Sequence, residues 1–431
     1  MHANFEKYSL LTARVLTVAI PLLLVTGRAA ADVAIFLVAL LFLVRSIIVR
    51  DGSWLRATWV RIGLALWLWM LLISIFAFDV RLSYIQATPW LRFLLFAVAL
   101  EAWVLNAVWM RRLVISATTM LVFVAVDAWW QYFTGFDFFN HPRPSDTRLT
   151  GPFDDLRVGT YLVKLMFPAL LGFAAWHAGK NTSASFKLFL GGSALLVIGA
   201  VFVSGERMAF LLLMLGLCLA AVLQKGALRA AVAGVLVLGA VGVGGVAVMD
   251  RAMLERQFMS VVATLSVFRD SPYGELWRSA LHLGSERLLT GVGMKNFRVA
   301  CDNPEIGLPV EVELRCGTHP HNLYLEWFAE SGIPGLILFL SMLAALAGRL
   351  WRGWQTESSR AWMLGPMIAA IIQLWPIATT ASFFSNWSGV LIWLAIGWTL
   401  AAARVGQQQE SVARDSVSVR ATDVVSPVTM R

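Results

Sequence analysis

Twelve apolar runs of 16 or more residues recur between Leu10 and Ala402, and they constrain the fold more than any other feature of the chain. Each run is roughly long enough to cross a hydrocarbon core of about 30 Å as a helix. Hydrophobic residues make up 58% of the 431 residues and charged residues 14%, whereas soluble domains are about 45–50% apolar and about 25% charged. The sequence therefore excludes a soluble globular enzyme and predicts an all-α polytopic membrane protein.

The predicted spans also fix an orientation. They cover 9–27, 31–49, 62–78, 86–106, 113–134, 158–178, 187–204, 208–224, 229–249, 322–347, 362–381 and 386–403. Lys and Arg collect in the short loops on one side, for example at Arg111 and Arg112, and are sparse on the other side. Because cytoplasmic loops are enriched in Lys and Arg, both termini are predicted to be cytoplasmic. These loops also explain the net charge of +9 without a nucleic-acid partner.

Two longer loops, 135–157 and 250–320, face outward in this topology. The predicted domains are therefore nine spans within 1–249, the loop 250–320, three further spans within 321–403, and a polar tail, 404–431, that we expect to be disordered. Against the charge trend, the outward loops carry Arg143, Arg148, Arg157, Arg251, Arg256, Arg269, Arg278, Arg287, Lys295, Arg298 and Arg315. Long translocated loops obey the charge rule only weakly, but basic residues kept there also suit an anionic, membrane-anchored substrate.

The segment 316–335 carries the strongest functional signal. His319 and His321 lie where the second loop meets a predicted helix, and Asn322 and Glu326 share one face of that helix. Polar groups at membrane depth usually line a cavity, and an imidazole there can act as a base near neutral pH. The alternatives are ordinary helix-face residues and half of a metal site. No third cluster of ligand residues follows, so no metal is predicted.

Four short patterns surround the two outward loops. They are His321-Asn322 followed after nine residues by Gly332-x-x-Gly335; Arg207-x-x-x-Leu211; Leu276-Trp-Arg-Ser-Ala-Leu281 with Leu289-Thr-Gly-Val-Gly-Met-Lys-Asn-Phe297; and, more weakly, Arg148-Leu-Thr-Gly-Pro-Phe153. Together they resemble the bacterial O-antigen ligase and polymerase superfamily over roughly residues 148–346. One departure concerns an Arg that family members carry a few residues before the loop Trp, where this chain has Tyr273 and Gly274.

The resemblance implies a GT-C-like glycosyltransferase with about 12 transmembrane helices and a long, mostly helical periplasmic loop, set in the bacterial inner membrane. The implied enzyme needs no metal or cofactor and transfers O-antigen polysaccharide from undecaprenyl diphosphate to lipid A–core oligosaccharide, which completes lipopolysaccharide. Membrane lipids are its other partners. The runner-up is an O-antigen polymerase. From a different class, a lipid or solute transporter would have to use the intramembrane charges Glu101, Asp127 and Lys164.

The same resemblance suggests roles for individual residues. The catalytic set is His321 as general base with Arg207 and Arg278, and the substrate-binding set is Arg207, Arg269, Arg278, Arg148, His319, Asn322 and Glu326. Guanidinium groups suit a diphosphate because they form bidentate hydrogen bonds with phosphate oxygens. Whether Arg269 or Arg278 replaces the missing loop Arg stays open. The alternative to diphosphate binding by Arg207 is a side chain that snorkels to the membrane surface and pairs with Glu206.

Cys301 and Cys316 are candidates for a disulfide. Both lie in the outward loop, and the periplasm of a Gram-negative envelope favours disulfides. The bridge would close a loop of ordinary length, worth about 3 kcal/mol, and would restrain the segment that leads to His321. Two unpaired thiols are the alternative, because sequence alone does not give the distance between their Cα atoms.

Overall fold

The computed structural model describes residues 2–178, 180–301, 303, 316–379 and 381–423. Within these ranges the chain forms helices and two isolated β-bridges but no strand. In chain order the α-helices are α1 (His2–Thr26), α2 (Arg28–Val49), α3 (Thr58–Ile73), α4 (Val80–Ala99), α5 (Ala107–Thr134), α6 (Val158–Trp176), α7 (Ala184–Val203), α8 (Arg207–Leu223), α9 (Gly226–Met249), α10 (Arg251–Leu254), α11 (Ser260–Ser266), α12 (Pro272–Glu286), α13 (Phe297–Cys301), α14 (Leu323–Trp354), α15 (Glu357–Gln373) and α16 (Asn386–Asp423).

Twelve of these helices occupy the twelve predicted spans. Ten are long and apolar enough to cross a membrane, and α8 is a shorter apolar helix of 17 residues. The twelfth, α15, also has 17 residues and packs against α6 and α16. The buried core of the bundle includes Trp90 and Trp393, whose rings meet edge to face. The protein is therefore a polytopic all-α membrane protein, as predicted.

Several predicted boundaries were wrong, for local reasons. Helix α4 begins six residues earlier than predicted, because the Asp79 carboxylate accepts a hydrogen bond from the amide of Leu82 and caps the helix. Helix α15 ends at Gln373 rather than at 381, because Pro376 follows and cannot continue a helix.

The predicted disordered tail, 404–431, begins instead as the continuation of α16 to Asp423. The sequence has no proline between Ala403 and Asp423 that would end the helix. The last eight residues, 424–431, lie outside the described residues.

Contacts between helix ends define two faces of the bundle. On the terminal face, where α1 begins, Arg45 bridges Glu6 and Asp51. On the loop face, where α4 and α14 begin, the described part of the long loop packs onto the bundle through α12, which lies against α14. Helix α14 crosses between the two faces, so its first turn belongs to the loop face and its last turns belong to the terminal face.

Candidate active site

His321 is held in an uncommon backbone conformation at the start of α14. Its φ is +53°, in the left-handed region that side-chain-bearing residues rarely adopt. The next residue, Asn322, caps the helix, because its Oδ1 accepts from the amides of Tyr324 and Leu325. The Asn322 amide nitrogen also donates to the carbonyl of Pro376 at 2.8 Å. This cap therefore fixes the backbone that presents the imidazole, and such strain is often stored at functional sites.

Two aromatic neighbours surround the His321 ring. The ring centroid of His319 is 4.1 Å from it, and that of Tyr273 is 5.8 Å away, edge to face. Tyr273 lies in the first turn of α12, which Ser271 caps. At the next position, a Cβ on Gly274 would approach the carbonyl of Phe268 to 2.0 Å. The departure from the family pattern therefore places a phenol beside the histidine, and no larger side chain fits at 274 without a backbone shift.

Three arginines form a cationic cluster near Tyr273. Arg256 donates from Nε to the carbonyl of Gly205 at 2.8 Å. Its pKa is lowered by burial and by the positive charges of Arg148 and Arg207, while Tyr273 acts in the opposite direction. Within the described part of the chain, its Nη2 is enclosed and has no hydrogen-bond partner. The cluster therefore gathers Arg148, Arg207 and Arg256 with an unused buried donor, an arrangement that suits an anion.

Arg207, at the start of α8, points into this cluster. Its Nη1 donates to the hydroxyl of Ser260 at 3.2 Å, and that hydroxyl donates to the carbonyl of Arg256. The alternative interpretation paired Arg207 with the neighbouring Glu206, but the described hydrogen bonds of Glu206 are made elsewhere. Its carboxylate accepts from the amide of Gly159 at 2.7 Å and from the amide and hydroxyl of Thr160, and so caps α6.

Burial raises the pKa of Glu206, and the hydrogen bonds from α6 and the charge of Arg148 act against this rise. The described hydrogen bonds of Glu206 are thus made to α6, and they leave the enclosed Nη2 of Arg256 without a partner.

The two candidate loop arginines lie differently. Arg269 is exposed, in a short 3-10 turn over Phe268–Asp270. Arg278 is exposed on α12 and forms an ion pair with Glu275, one turn earlier. Among the described contacts, neither arginine joins the cluster of Arg148, Arg207 and Arg256. Sequence reasoning did not select Arg256, although it belongs to the basic residues retained in the outward loop.

Glu326 is buried against a neighbouring loop, and its role in substrate binding stays a prediction. The side chain is 1% exposed, and its carboxylate accepts from the hydroxyl of Ser382 and, at 2.8 Å, from the amide of Phe383. One turn later, Glu330 accepts from the amide of Lys295 at 2.6 Å. The face shared by these residues therefore anchors two loops onto the helix that begins beside His321.

The glycine motif after His321 also has a physical reason. Gly332 has a φ of +68° and interrupts the helical geometry of α14. A Cβ there would approach the carbonyl of Leu289 to 2.6 Å. At this kink, Val292 and Gly293 donate backbone hydrogen bonds to the carbonyls of Ala329 and Glu330. Glycine at 332 thus allows the loop segment 289–297 to pack against the helix.

Cys301 and Cys316 are joined by a disulfide, and their Cα atoms are 5.5 Å apart. The bond ties the residue at the end of α13 to the start of the segment that leads to His319 and His321. Of the residues enclosed by the bridge, 302 and 304–315 lie outside the described part of the chain.

A small cavity of about 90 Å³ lies among α6, α8, α14, α15 and α16. Its walls include Leu323 of α14, Met208 of α8 and Lys164 of α6. The Lys164 ammonium lies 5.4 Å from the ring centroid of Trp387. Sequence reasoning considered Lys164 only as a charge for transport, because nothing in its own span relates it to α8 or α14.

The described residues contain no group of three or more His, Cys, Asp or Glu side chains placed to hold a metal ion. The assembled site instead consists of two histidines, a tyrosine and three arginines on the loop face of a membrane-spanning bundle. It has the composition expected of a site that handles a membrane-anchored anion.

Comparison with known families agrees with this composition. Residues 192–340 match the model of a family described as O-antigen ligase. The match begins in α7 and ends in α14, so it includes Arg207, the long loop and His321. This segment is therefore similar to the O-antigen ligase family, and the resemblance drawn from the motifs is confirmed. No curated protein matches the chain.

Proposed function

We propose that this protein is an O-antigen ligase. It moves O-antigen polysaccharide from undecaprenyl diphosphate to lipid A–core oligosaccharide at the periplasmic face of the bacterial inner membrane, with both termini in the cytoplasm. The observation that carries the proposal is the arginine cluster, with the enclosed and unused Nη2 of Arg256, beside Tyr273 and His321. The family match over this part of the chain supports it.

The donor diphosphate binds to the cluster of Arg148, Arg207 and Arg256. Guanidinium groups hold phosphate oxygens in pairs and keep their charge when they are partly desolvated. Arg256 takes the role that the sequence left open between Arg269 and Arg278, which remain candidates for contacts with the glycan. The cavity beside Lys164 is lined by Met208, the residue after Arg207, and we assign it to the first part of the lipid chain.

His321 acts as the general base, and His319 contacts phosphate. The acceptor hydroxyl oxygen forms a bond with the anomeric carbon, and the bond from that carbon to the diphosphate oxygen breaks. The electron pair leaves with undecaprenyl diphosphate, and the hydroxyl proton moves to the imidazole of His321. Preorganised cations stabilise the charge that develops on the leaving group without a metal ion.

The reaction inverts the anomeric carbon, because a retaining reaction needs a carboxylate nucleophile within about 5 Å of its acid partner. The nearby carboxylates are otherwise engaged. Glu326 and Glu330 accept hydrogen bonds from loops, and Glu275 pairs with Arg278.

The test uses the purified full-length chain in nanodiscs with lipid-linked polymer and lipid A–core, with products separated on a gel. Transfer to the core supports the ligase assignment. Longer lipid-linked chains would instead identify a polymerase, and the absence of both products would contradict either enzyme.

A matched pair of variants tests the site itself. Arg256→Gln should lower turnover by about 10²–10³, the usual effect of removing one preorganised donor from a charge-stabilising site. Arg251→Gln removes the same charge from an exposed position in the same loop, to which no substrate contact is assigned, and should have little effect. Equal losses in both variants would contradict the assignment of Arg256 to the diphosphate.

A further inference from the structure

A second cationic cavity opens on the terminal face, at the opposite end of α14 from His321. Its volume is about 460 Å³, and it lies among α3, α4, α14 and α16. Arg349 lies 28 positions after His321, and a helix rises about 1.5 Å per residue, so the two sites are roughly 40 Å apart. The cavity, which we call the arginine pocket, therefore belongs to neither substrate of the proposed transfer reaction.

Four guanidinium groups and one carboxylate line the arginine pocket: Arg56, Arg349, Arg352, Arg404 and Glu101. Arg349 pairs with Glu101, to which its Nε donates at 2.9 Å. Arg404 donates to the carbonyls of Ala102 and Leu105, which follow α4 in the chain. Two of the four arginines are thus held in place by the protein.

The other two arginines leave an excess of positive charge. Arg56 and Arg352 are exposed at the rim, and within the described residues neither makes an ion pair. With Glu101 as the single acid of the lining, the pocket carries three positive charges more than negative ones. An arrangement of this kind favours an anionic ligand.

Two tryptophans add unused hydrogen-bond donors. Trp54 and Trp59 line the arginine pocket, and Trp59 is 1% exposed. The Nε1 atoms of both rings are enclosed without an acceptor in the described part of the chain. Buried indole N–H groups normally find an acceptor, and these two lie in residues that line the pocket without one. The remaining wall is mixed, with apolar Val60, Val98 and Ala345 and the hydroxyl-bearing Ser53 and Thr58.

We propose that the arginine pocket binds a phosphate ester, with its oxygens against the arginines and indoles and its apolar part along the spans. Basic pockets between transmembrane helices on the cytoplasmic side commonly bind the headgroups of anionic lipids. The same chemistry is present in a free ester such as glycerol phosphate. The apolar part of the wall favours the headgroup of an anionic phospholipid as the source.

The experiment measures binding of phosphatidylglycerol, phosphatidylcholine and free glycerol 3-phosphate to the full-length chain in detergent, by native mass spectrometry and by thermal shift. The double variant Arg56→Gln/Arg352→Gln should bind phosphatidylglycerol about tenfold or more weakly, since each basic residue near an anionic headgroup contributes substantially. The matched control, Lys225→Gln/Arg229→Gln, removes two exposed positive charges on the terminal face outside the pocket and should bind as the wild type does.

Trp59→Phe provides a second, charge-neutral variant that removes one enclosed donor and should also weaken binding. Stronger binding of phosphatidylglycerol than of phosphatidylcholine, lost in both pocket variants, supports the proposal and identifies a lipid as the source of the phosphate ester. Saturable binding of glycerol phosphate alone, lost in the same variants, supports it with a soluble source. Equal binding of both lipids without glycerol phosphate binding, or equal losses in the pocket and control variants, would overturn it.

Discussion

The left-handed backbone of His321 allows its chemical role to be separated from its structural role. His321→Asn removes the base but keeps a residue type that tolerates a φ of +53°. His321→Ala removes the base and also leaves a residue poorly suited to that conformation, where the strain is roughly 1–2 kcal/mol. Both variants lose the same ring contacts with His319 and Tyr273. We therefore expect the Ala variant to be less stable than the Asn variant by about 1 kcal/mol.

Turnover should behave differently from stability. Removal of a general base typically costs about 10²–10⁴ in rate, and this loss should be the same in both variants because neither side chain accepts the proton. The assay combines single-turnover transfer with thermal unfolding of each purified variant in the same detergent, and His319→Ala serves as the milder control. If the Asn variant retained near-wild-type turnover, or if activity followed stability across the series, His321 would not be the base.

Four further predictions concern the rest of the site. Arg207→Lys should lose almost as much transfer activity as Arg207→Ala, because a point charge does not replace a planar fork on a diphosphate; a rate near that of the wild type would contradict this role. Transfer should survive EDTA, and strict dependence on added divalent metal would refute the metal-independent mechanism. Peptide mapping without reductant should find Cys301 linked to Cys316 and Cys218 free, whereas full alkylation of all three would exclude the bridge. Glu326→Ala should lower the free energy of unfolding by about 1–3 kcal/mol, and with it the melting temperature, because it leaves two buried donors unsatisfied. An unchanged melting curve would argue against its anchoring role.

Hydropathy predicted the positions of these twelve helices, ten of which are long and apolar enough to span, because the membrane requires long apolar helices. It did not predict where the helices end. Asp79 extends α4 by capping it, Pro376 ends α15 early, and α16 continues to Asp423 because no proline intervenes. These ends depend on single side chains, which a hydropathy window averages out.

The sequence indicated the candidate site residues that stand in short motifs. It did not indicate those that only tertiary packing brings to the site. His321 and Arg207 stand in recognisable motifs. Arg256 and Tyr273 come from separate turns of the long loop, and only the packing of that loop brings them together. Glu326 shares a helical face with Asn322, but the sequence does not reveal that the loop before α16 covers this face.

Direct displacement of the diphosphate by the acceptor hydroxyl is tested most directly by the anomeric configuration of the product. Lipid-linked donor of known configuration is incubated with the wild-type chain and lipid A–core, and the new linkage is assigned by NMR. A single step with His321 as base predicts the configuration opposite to that of the donor. Retention of the donor configuration would require a covalent intermediate on a carboxylate and would contradict this mechanism.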